Sequence, residues 1–209
     1  MSKQMLITGA SQGIGAAFVR EFKDDYDIVT VARTGDMTEN GDVTDPDFRN
    51  YLVKKYNPNV FINNVGGYSS EMAESMNLNL IQAGDLLEKF YNKMLVGHII
   101  NMGSYGRLIS GYQNMGPDKY NYYAAKKALA DWIRYIQTNR NKRTVKISTL
   151  TPGIVMSNMH AKGDEVASVV LKSEHSMKLI SMETCTKAVR WILEQPKDVV
   201  VEEIVLGNK

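Results

Sequence analysis

The alternation of short apolar runs with segments of helical spacing is the feature that most limits the possible folds. The runs that read as strands are "KQMLITG", "YDIVTVAR", "NVFINN", "GHIINMGS", "TVKISTLTPG" and "DVVVEEIVLG". Segments between them, such as "LNLIQAGDLLEKFYNKM", carry apolar residues at amphipathic-helix spacing. Because strands that are apolar throughout are usually buried on both faces, we predict an α/β fold with a single, doubly wound parallel sheet and helices on both faces.

Length and composition predict a single domain without a strong net charge or a membrane-spanning segment. It has 209 residues and a formal net charge of +2, and no apolar run is long enough to span a bilayer. We therefore expect one domain over residues 1–209, with neither a nucleic acid nor a membrane as partner. The single Cys185 and the absence of a signal-peptide pattern lead us to expect a cytoplasmic protein without an internal disulfide. The spacing of its histidines supports no metal site.

A glycine-rich segment, "TGASQGIG", joins the first predicted strand to the first predicted helix. Gly9, Gly13 and Gly15 allow a tight turn and a close approach of the backbone to a ligand. The N-terminus of the following helix offers unpaired N–H groups and a positive dipole end to a phosphate. The segment is therefore a candidate binding loop for the pyrophosphate of a dinucleotide.

A crowded helix contains two pairs of tyrosine and lysine at the spacing of one helical turn. Tyr122–Lys126 and Tyr123–Lys127 both place the two side chains on one face. An adjacent ammonium would favour the phenolate, so we expect it to lower the pKa of the chosen tyrosine from its usual value of about 10. Such a tyrosine can exchange a proton with a substrate oxygen.

Taken together, several motifs in one order resemble the short-chain dehydrogenase/reductase family over nearly the whole chain. They are "TGASQGIG", "GDVTD", "NNVGG" with Val65 in place of the usual Ala, "NMGS", "YYAAK" and "TPGIVMS". The resemblance implies a Rossmann-type fold and a nicotinamide cofactor. The cofactor contacts that it implies are Gly9, Ser11, Gln12, Gly13, Ile14, Gly15, Arg33, Thr34, Asp42, Val43, Asn64, Val65, Gly66, Tyr122, Lys126, Pro152, Gly153, Val155 and Ser157.

The same resemblance implies a catalytic Tyr and Lys. The family has small residues at the two positions before the lysine, which selects Tyr122 and Lys126, since Ala124 and Ala125 stand there. Tyr122 would be the acid or base, and Lys126 would bind the nicotinamide ribose.

A serine and an asparagine complete the implied catalytic set. Ser104 would bind the substrate oxygen, with Ser110 as the alternative because the segment before Tyr122 looks like an insertion. Asn79 would hold a water that relays protons to Lys126, with Asn77 as the alternative.

The end of the second strand bears on the choice between NAD(H) and NADP(H). Ala32 stands where an NAD-binding site usually has an acidic residue, and Arg33 follows it. A guanidinium can bind a 2′-phosphate with two hydrogen bonds, so we expect NADP(H), with a further hydroxyl contact from Thr34. Asp36 keeps NAD(H) open as the less favoured alternative, since it could reach the ribose.

Two segments depart from the family pattern. Too few residues separate Arg33 from Asp42 for the usual helix, so the chain is identified as a shortened member of the family. Residues 158–181 stand where the family has a small substrate lid.

We expect an NADPH-dependent oxidoreductase acting on a small carbonyl or alcohol substrate. The alternatives are an NAD(H)-dependent dehydrogenase and a non-catalytic sensor or scaffold that binds a dinucleotide. The resemblance also implies a homodimer or homotetramer formed through helices at roughly 79–95 and 121–140. The apolar residues that could form such an interface are Leu86, Leu87, Phe90, Ala128, Trp132 and Ile136.

Overall fold

A computed structural model describes residues 3–109, 115–139, 144–156 and 178–209. These residues form a seven-stranded sheet. Its strands are β1 Gln4–Thr8, β2 Asp27–Ala32, β3 Glu39–Asn40, β4 Val60–Asn63, β5 Gly97–Met102, β6 Val145–Pro152 and β7 Glu203–Leu206. The lid segment and Ser110 lie outside the described residues, apart from the last few positions of the lid.

Every strand pair in the sheet is parallel, and the strand order is β3-β2-β1-β4-β5-β6-β7. The chain therefore builds outward from β1 in one direction and then returns to build outward from β4 in the other. Ligands bind at such a reversal, beside the carboxyl ends of the strands. The predicted doubly wound α/β fold is confirmed.

Helices cover both faces of the sheet. They are α1 Gly13–Phe22, α2 Pro46–Lys55, α3 Met72–Met76, a π-helical turn Asn77–Ile81, α4 Gln82–Lys93, a 3-10 turn Tyr105–Leu108, α5 Pro117–Asn139 and α6 Met182–Leu193. One apolar cluster joins the sheet to α2, α4 and α5, with Phe61 and Phe90 in ring contact at its centre. The other joins the opposite face to α1 and α6 through Phe18 and Val189. No helix of the described residues is long and apolar enough to cross a membrane.

The connection from β2 to β3 contains no helix, as the short sequence there predicts. Thr30 and Thr38 pair across it, with each backbone N–H donating to the other hydroxyl at 3.2 and 2.9 Å. The buried carboxylate of Glu39 then ties β3 to α2, because it accepts hydrogen bonds from Lys55 at 2.6 Å and from Tyr51 at 3.1 Å. The edge strand β3 is thus stabilised by polar contacts, since no helix of the β2–β3 connection packs against it.

Two helices begin earlier than the sequence predicts. The helix expected at about residue 79 is preceded by α3 and the π-helical turn, so helical structure starts at Met72. The helix expected at about residue 121 starts at Pro117, whose fixed φ and missing N–H suit a first helical position.

The proposed interface residues on α4 and α5 belong mostly to the core. Leu86, Leu87, Phe90 and Ile136 are fully buried against the sheet of their own subunit. Since buried side chains cannot also cover a neighbouring subunit, their assignment to an interface is wrong. Trp132 packs partly on the same core, and Ala128 is exposed.

Candidate active site

The loop after β1 has the geometry of a phosphate-binding turn. Gly9 and Gly13 have φ angles of 68° and 56°, in the left-handed region that favours glycine. Gly15 faces the loop so closely that a Cβ there would lie 2.0 Å from the carbonyl oxygen of Gly9. Helix α1 starts at Gly13 with no side chain capping its first N–H groups. The loop therefore fits the pyrophosphate of a dinucleotide.

Asn64, which follows β4, stabilises this loop through hydrogen bonds. Its side-chain Nδ2 donates to the carbonyl oxygens of Thr8 at 3.1 Å and Gly9 at 3.3 Å. Its backbone N–H donates to the Thr8 hydroxyl at 3.1 Å. The two central strands are thereby locked together where the sheet order reverses.

Polar groups gather where β2 and β3 end. The Arg33 side chain is 77% exposed, and its guanidinium lies 3.9 Å from Asp42. Asp42 itself accepts hydrogen bonds at 2.8 Å from the backbone and the hydroxyl of Thr44. Thr34 and Ser11 are exposed nearby. Val43 differs from these residues because its side chain is buried in the core, so a ligand could meet only its backbone.

A cavity of about 310 Å³ opens beside the loop. The sequence-predicted residues that line it are Ile14, Asn64, Gly66, Ser104, Tyr122, Lys126, Pro152, Gly153 and Val155. The remaining predicted residues do not line it: Val65 follows β4, Asn79 lies in the π-helical turn, and the others follow β1, β2 and β3. Ser157 lies outside the described residues.

The structure distinguishes the two tyrosine–lysine pairs by their burial. Tyr122 and Lys126 are 7% and 4% exposed, and both face the cavity. Of the other pair, Tyr123 is half-buried and also lines the cavity, but Lys127 is exposed and does not line it. The Lys126 ammonium donates to the Met102 carbonyl oxygen at 2.9 Å and lies 5.8 Å from the centre of the Tyr122 ring.

Burial controls the ionisation of this pair. It raises the pKa of Tyr122 to about 12, although a hydrogen bond with Ser104 acts in the opposite direction. It also lowers the pKa of Lys126 to about 8. The expected lowering of the Tyr122 pKa by Lys126 is therefore wrong, because the loss of hydration is the dominant cause and Lys126 is not among the groups that shift this pKa.

Ser104 stands at the start of the segment that resembles an insertion. Its hydroxyl caps the 3-10 turn by accepting from the Gly106 N–H at 3.3 Å. The turn packs on Tyr123 so tightly that a Cβ on Gly106 would lie 1.9 Å from the ring. The first inserted residues thus continue the wall of the cavity and leave Ser104 beside Tyr122.

Asn79 lies in the π-helical turn and is fully buried. Its Oδ1 accepts from the Gly67 N–H at 3.0 Å, and its Nδ2 donates to the Gly67 carbonyl oxygen at 2.9 Å. The adjoining Gly66 separates it from Lys126, since a Cβ on Gly66 would lie 3.0 Å from Asn79 Oδ1 and 3.3 Å from Lys126 Nζ. The alternative, Asn77, is only partly buried and does not line the cavity.

Ten of the lining residues were not predicted from the sequence, among them Tyr68, Lys119 and Asn208. Tyr68 places its ring 4.8 Å from that of Tyr122 in an edge-on contact. Lys119 lies one helical turn before Tyr122. Asn208 holds the loop after β6, accepting from the Ile154 N–H at 2.7 Å and donating to its carbonyl oxygen at 3.0 Å. No motif marks these three residues, because the fold alone brings them to the cavity.

The chain is similar to known proteins in sequence and in fold. The short chain dehydrogenase family profile matches residues 3–167. The chain is 27% identical over 188 residues to the 3-oxoacyl-[acyl-carrier-protein] reductase MabA of Mycobacterium avium, covering 79% of this chain and 72% of that protein.

Two solved structures share the fold at low sequence identity. One is 4-hydroxyisoleucine dehydrogenase complexed with NADH, at 17% identity and a TM-score of 0.78, covering 98% of this chain and 96% of that one. The other is YwfH, an NADPH dependent reductase involved in bacilysin biosynthesis, at 17% identity and a TM-score of 0.79, with the same coverage. The profile match extends over most of the sequence. The chain therefore belongs to the short-chain dehydrogenase family and is an NAD(P)-dependent oxidoreductase.

Proposed function

We propose that the protein is an NADPH-dependent reductase of a small carbonyl compound, with Tyr122 as the proton donor. The observation that carries the proposal is the convergence of Ser104, Tyr122 and Lys126 on one cavity beside the glycine loop. A bound nicotinamide would supply the hydride for the carbonyl carbon. The protein's own task is then to hold the carbonyl oxygen and to give it a proton.

Burial keeps Tyr122 protonated at neutral pH, as the role of proton donor requires. With a pKa of about 12, its phenol remains protonated at neutral pH and can donate to the oxygen as negative charge develops there. Ser104, which bonds to Tyr122, would donate a second hydrogen bond to the same oxygen. Two donors converging on one oxygen stabilise the charge that appears only in the transition state.

Lys126 and Asn79 would return the proton to Tyr122. Both reach the space beside Gly66, at the distances given above, so a single water could bridge the ammonium and the amide oxygen. The Lys126 ammonium is held in the cavity wall by its hydrogen bond to the Met102 carbonyl oxygen. Its position also suits a hydrogen bond to a cofactor ribose.

Arg33 supports the choice of NADPH. Its guanidinium is exposed at the end of β2, the buried Ala32 precedes it, and the exposed hydroxyls of Ser11 and Thr34 lie on the adjacent loops. A 2′-phosphate would gain charge-assisted hydrogen bonds there that a ribose hydroxyl cannot match. The Asp42 carboxylate, now 3.9 Å from Arg33, would be replaced by the phosphate as its partner.

Fluorescence titration with NADPH and with NADH tests the cofactor. We expect NADPH to bind more tightly, and Arg33→Ala to weaken NADPH by roughly 10- to 100-fold while NADH is unchanged. Arg134→Ala is the matched control, since Arg134 is equally exposed and lies far from the loop. Tighter NADH binding in the unaltered protein would transfer the ribose contact to Asp36.

The Tyr122→Phe variant tests the mechanism. We expect it to bind cofactor normally and to lose at least about 100-fold in turnover, because general acid catalysis supplies roughly that factor. Tyr135→Phe is the matched control, because Tyr135 lies on the same helix, is exposed and does not line the cavity. Undiminished turnover in Tyr122→Phe would refute the assigned role, and cofactor binding without turnover in the unaltered protein would favour a sensor.

A further inference from the structure

We propose that the substrate carries a carboxylate or a similar anionic group, which binds to Lys119 at the mouth of the cavity while its apolar body lies among tyrosine rings. The inference rests on the proposed function, because it assumes that the substrate carbonyl meets Tyr122. It adds a substrate class and a specificity-determining residue.

The charge of the cavity wall is the first argument. Among the described residues that line the cavity, the charged ones are Lys119 and Lys126, and no carboxylate is present. Lys126 is buried and already donates to the Met102 carbonyl. Lys119 is exposed at the entrance, and none of the ion pairs formed within the described part of the chain includes it. Its ammonium is therefore available to a ligand.

The position of Lys119 along α5 is the second argument. It comes three residues before Tyr122 and Lys126 comes four residues after it, so the two lysines share its helix face but lie on opposite sides of it. Lys126 points to Gly66 and the glycine-loop side, where the cofactor would lie. A substrate held at Tyr122 therefore extends towards Lys119. Neighbours at this spacing have Cβ atoms about 5–6 Å apart, so the Lys119 ammonium can reach an anionic group a few bonds from a carbonyl held at Tyr122.

The rest of the wall on that side is aromatic and aliphatic. Tyr68 and Tyr123 both contact the Tyr122 ring, with ring centres 4.8 and 5.7 Å from it. Tyr105 and Ile109 from the segment after Ser104 complete this wall. Such a surface stabilises an apolar or aromatic body, and one cation at its rim fixes the orientation of an amphipathic acid.

The Asp118 carboxylate is the nearby group that would repel an anionic substrate. Its charge reaches the pocket tyrosines, because it contributes to the raised pKa of Tyr68 and of Tyr123. It does not line the cavity, however, and its carboxylate lies against Gly116. Lys119 therefore meets a ligand first, and Asp118 would select an amine only if it turned inward.

The test compares an acid with its uncharged ester. With NADPH as donor, kcat/KM is measured for 2-oxo-4-phenylbutanoate and for its ethyl ester. We expect the acid to be preferred by about tenfold, a modest factor because Lys119 is exposed to solvent. Lys119→Met should abolish the preference and Lys119→Arg should retain it. Lys127→Met, which removes an exposed lysine outside the cavity, should leave it unchanged.

A binding measurement covers the case in which neither compound is reduced. The complex with NADPH is titrated with 4-phenylbutanoate and with 4-phenylbutanamide, and tighter binding of the carboxylate that is lost in Lys119→Met supports the inference. If the charged and neutral compounds are used or bound equally, the inference is wrong but the proposed function stands. The same holds if the preference for the acid changes in Asp118→Asn and not in Lys119→Met. A protein that binds neither NADPH nor NADH overturns the proposed function, and this inference with it.

Discussion

Replacing Asn79 by Ala should lower the free energy of unfolding by roughly 2–4 kcal/mol. The amide makes two hydrogen bonds to the Gly67 backbone, at 3.0 and 2.9 Å, and a third at 3.0 Å to the Ser75 carbonyl oxygen. Without it, the N–H and C=O of Gly67 lose their partners, and each unpaired group costs about 1–3 kcal/mol. Gly67 is only partly buried, so water recovers some of this energy and the lower half of the range applies.

Urea denaturation followed by circular dichroism measures the effect, with the slope compared between variants to show that only the midpoint has moved. Asn77→Ala is the matched control: its side chain lies two residues away in the same π-helical turn and is partly buried, and we expect a change within about 0.5 kcal/mol. A loss below 0.5 kcal/mol for Asn79→Ala, or equal losses for both variants, would refute the reasoning. The bonds to Gly67 would then contribute nothing to stability.

Three further predictions concern two glycines and the buried lysine. Gly15→Ala should abolish cofactor binding in a fluorescence titration, because its Cβ would lie 2.0 Å from a backbone oxygen. Gly84→Ala, whose Cβ would meet only Trp132 at 3.6 Å inside α4, should raise the free energy of unfolding by about 0.5–1 kcal/mol. The lowered pKa of Lys126, about 8, means that the unfolded chain keeps this proton to higher pH than the folded one. The free energy of unfolding should therefore rise by roughly 1–2 kcal/mol between pH 8 and 9.5 relative to Lys126→Met, and parallel pH curves for the two proteins would contradict this.

The main strands and the chemistry at their ends could be predicted from the sequence because each has a local signal. Apolar runs such as "NVFINN" mark buried strands, and the residues that follow β1, β4, β5 and β6 must meet at one edge of a parallel sheet. Spacing alone left two pairs open, and the resemblance to the family, with Ala124 and Ala125 before the lysine, selected Tyr122 and Lys126, which the structure brings to the same cavity.

Other features depend on contacts that no local pattern carries. β3 consists of Glu39 and Asn40 alone, too short and too polar for a strand signal, and it exists because β2 and α2 hold it. The buried position of Asn79 depends on its amide's bonds to Gly67, which precedes it by 12 residues. The raised pKa of Tyr122 likewise arises from burial, which a lysine at helical spacing does not reveal.

The two-residue length of β3 also affects how molecules of this protein meet at high concentration. An exposed edge strand offers unpaired N–H and C=O groups to a second chain, and such pairing begins aggregation. β3 offers very few of these groups, and it carries the charge of Glu39. The opposite edge, β7, is longer and exposes Val205. The shortened crossover therefore protects one edge of the sheet from intermolecular pairing and leaves β7 as the edge where it would start.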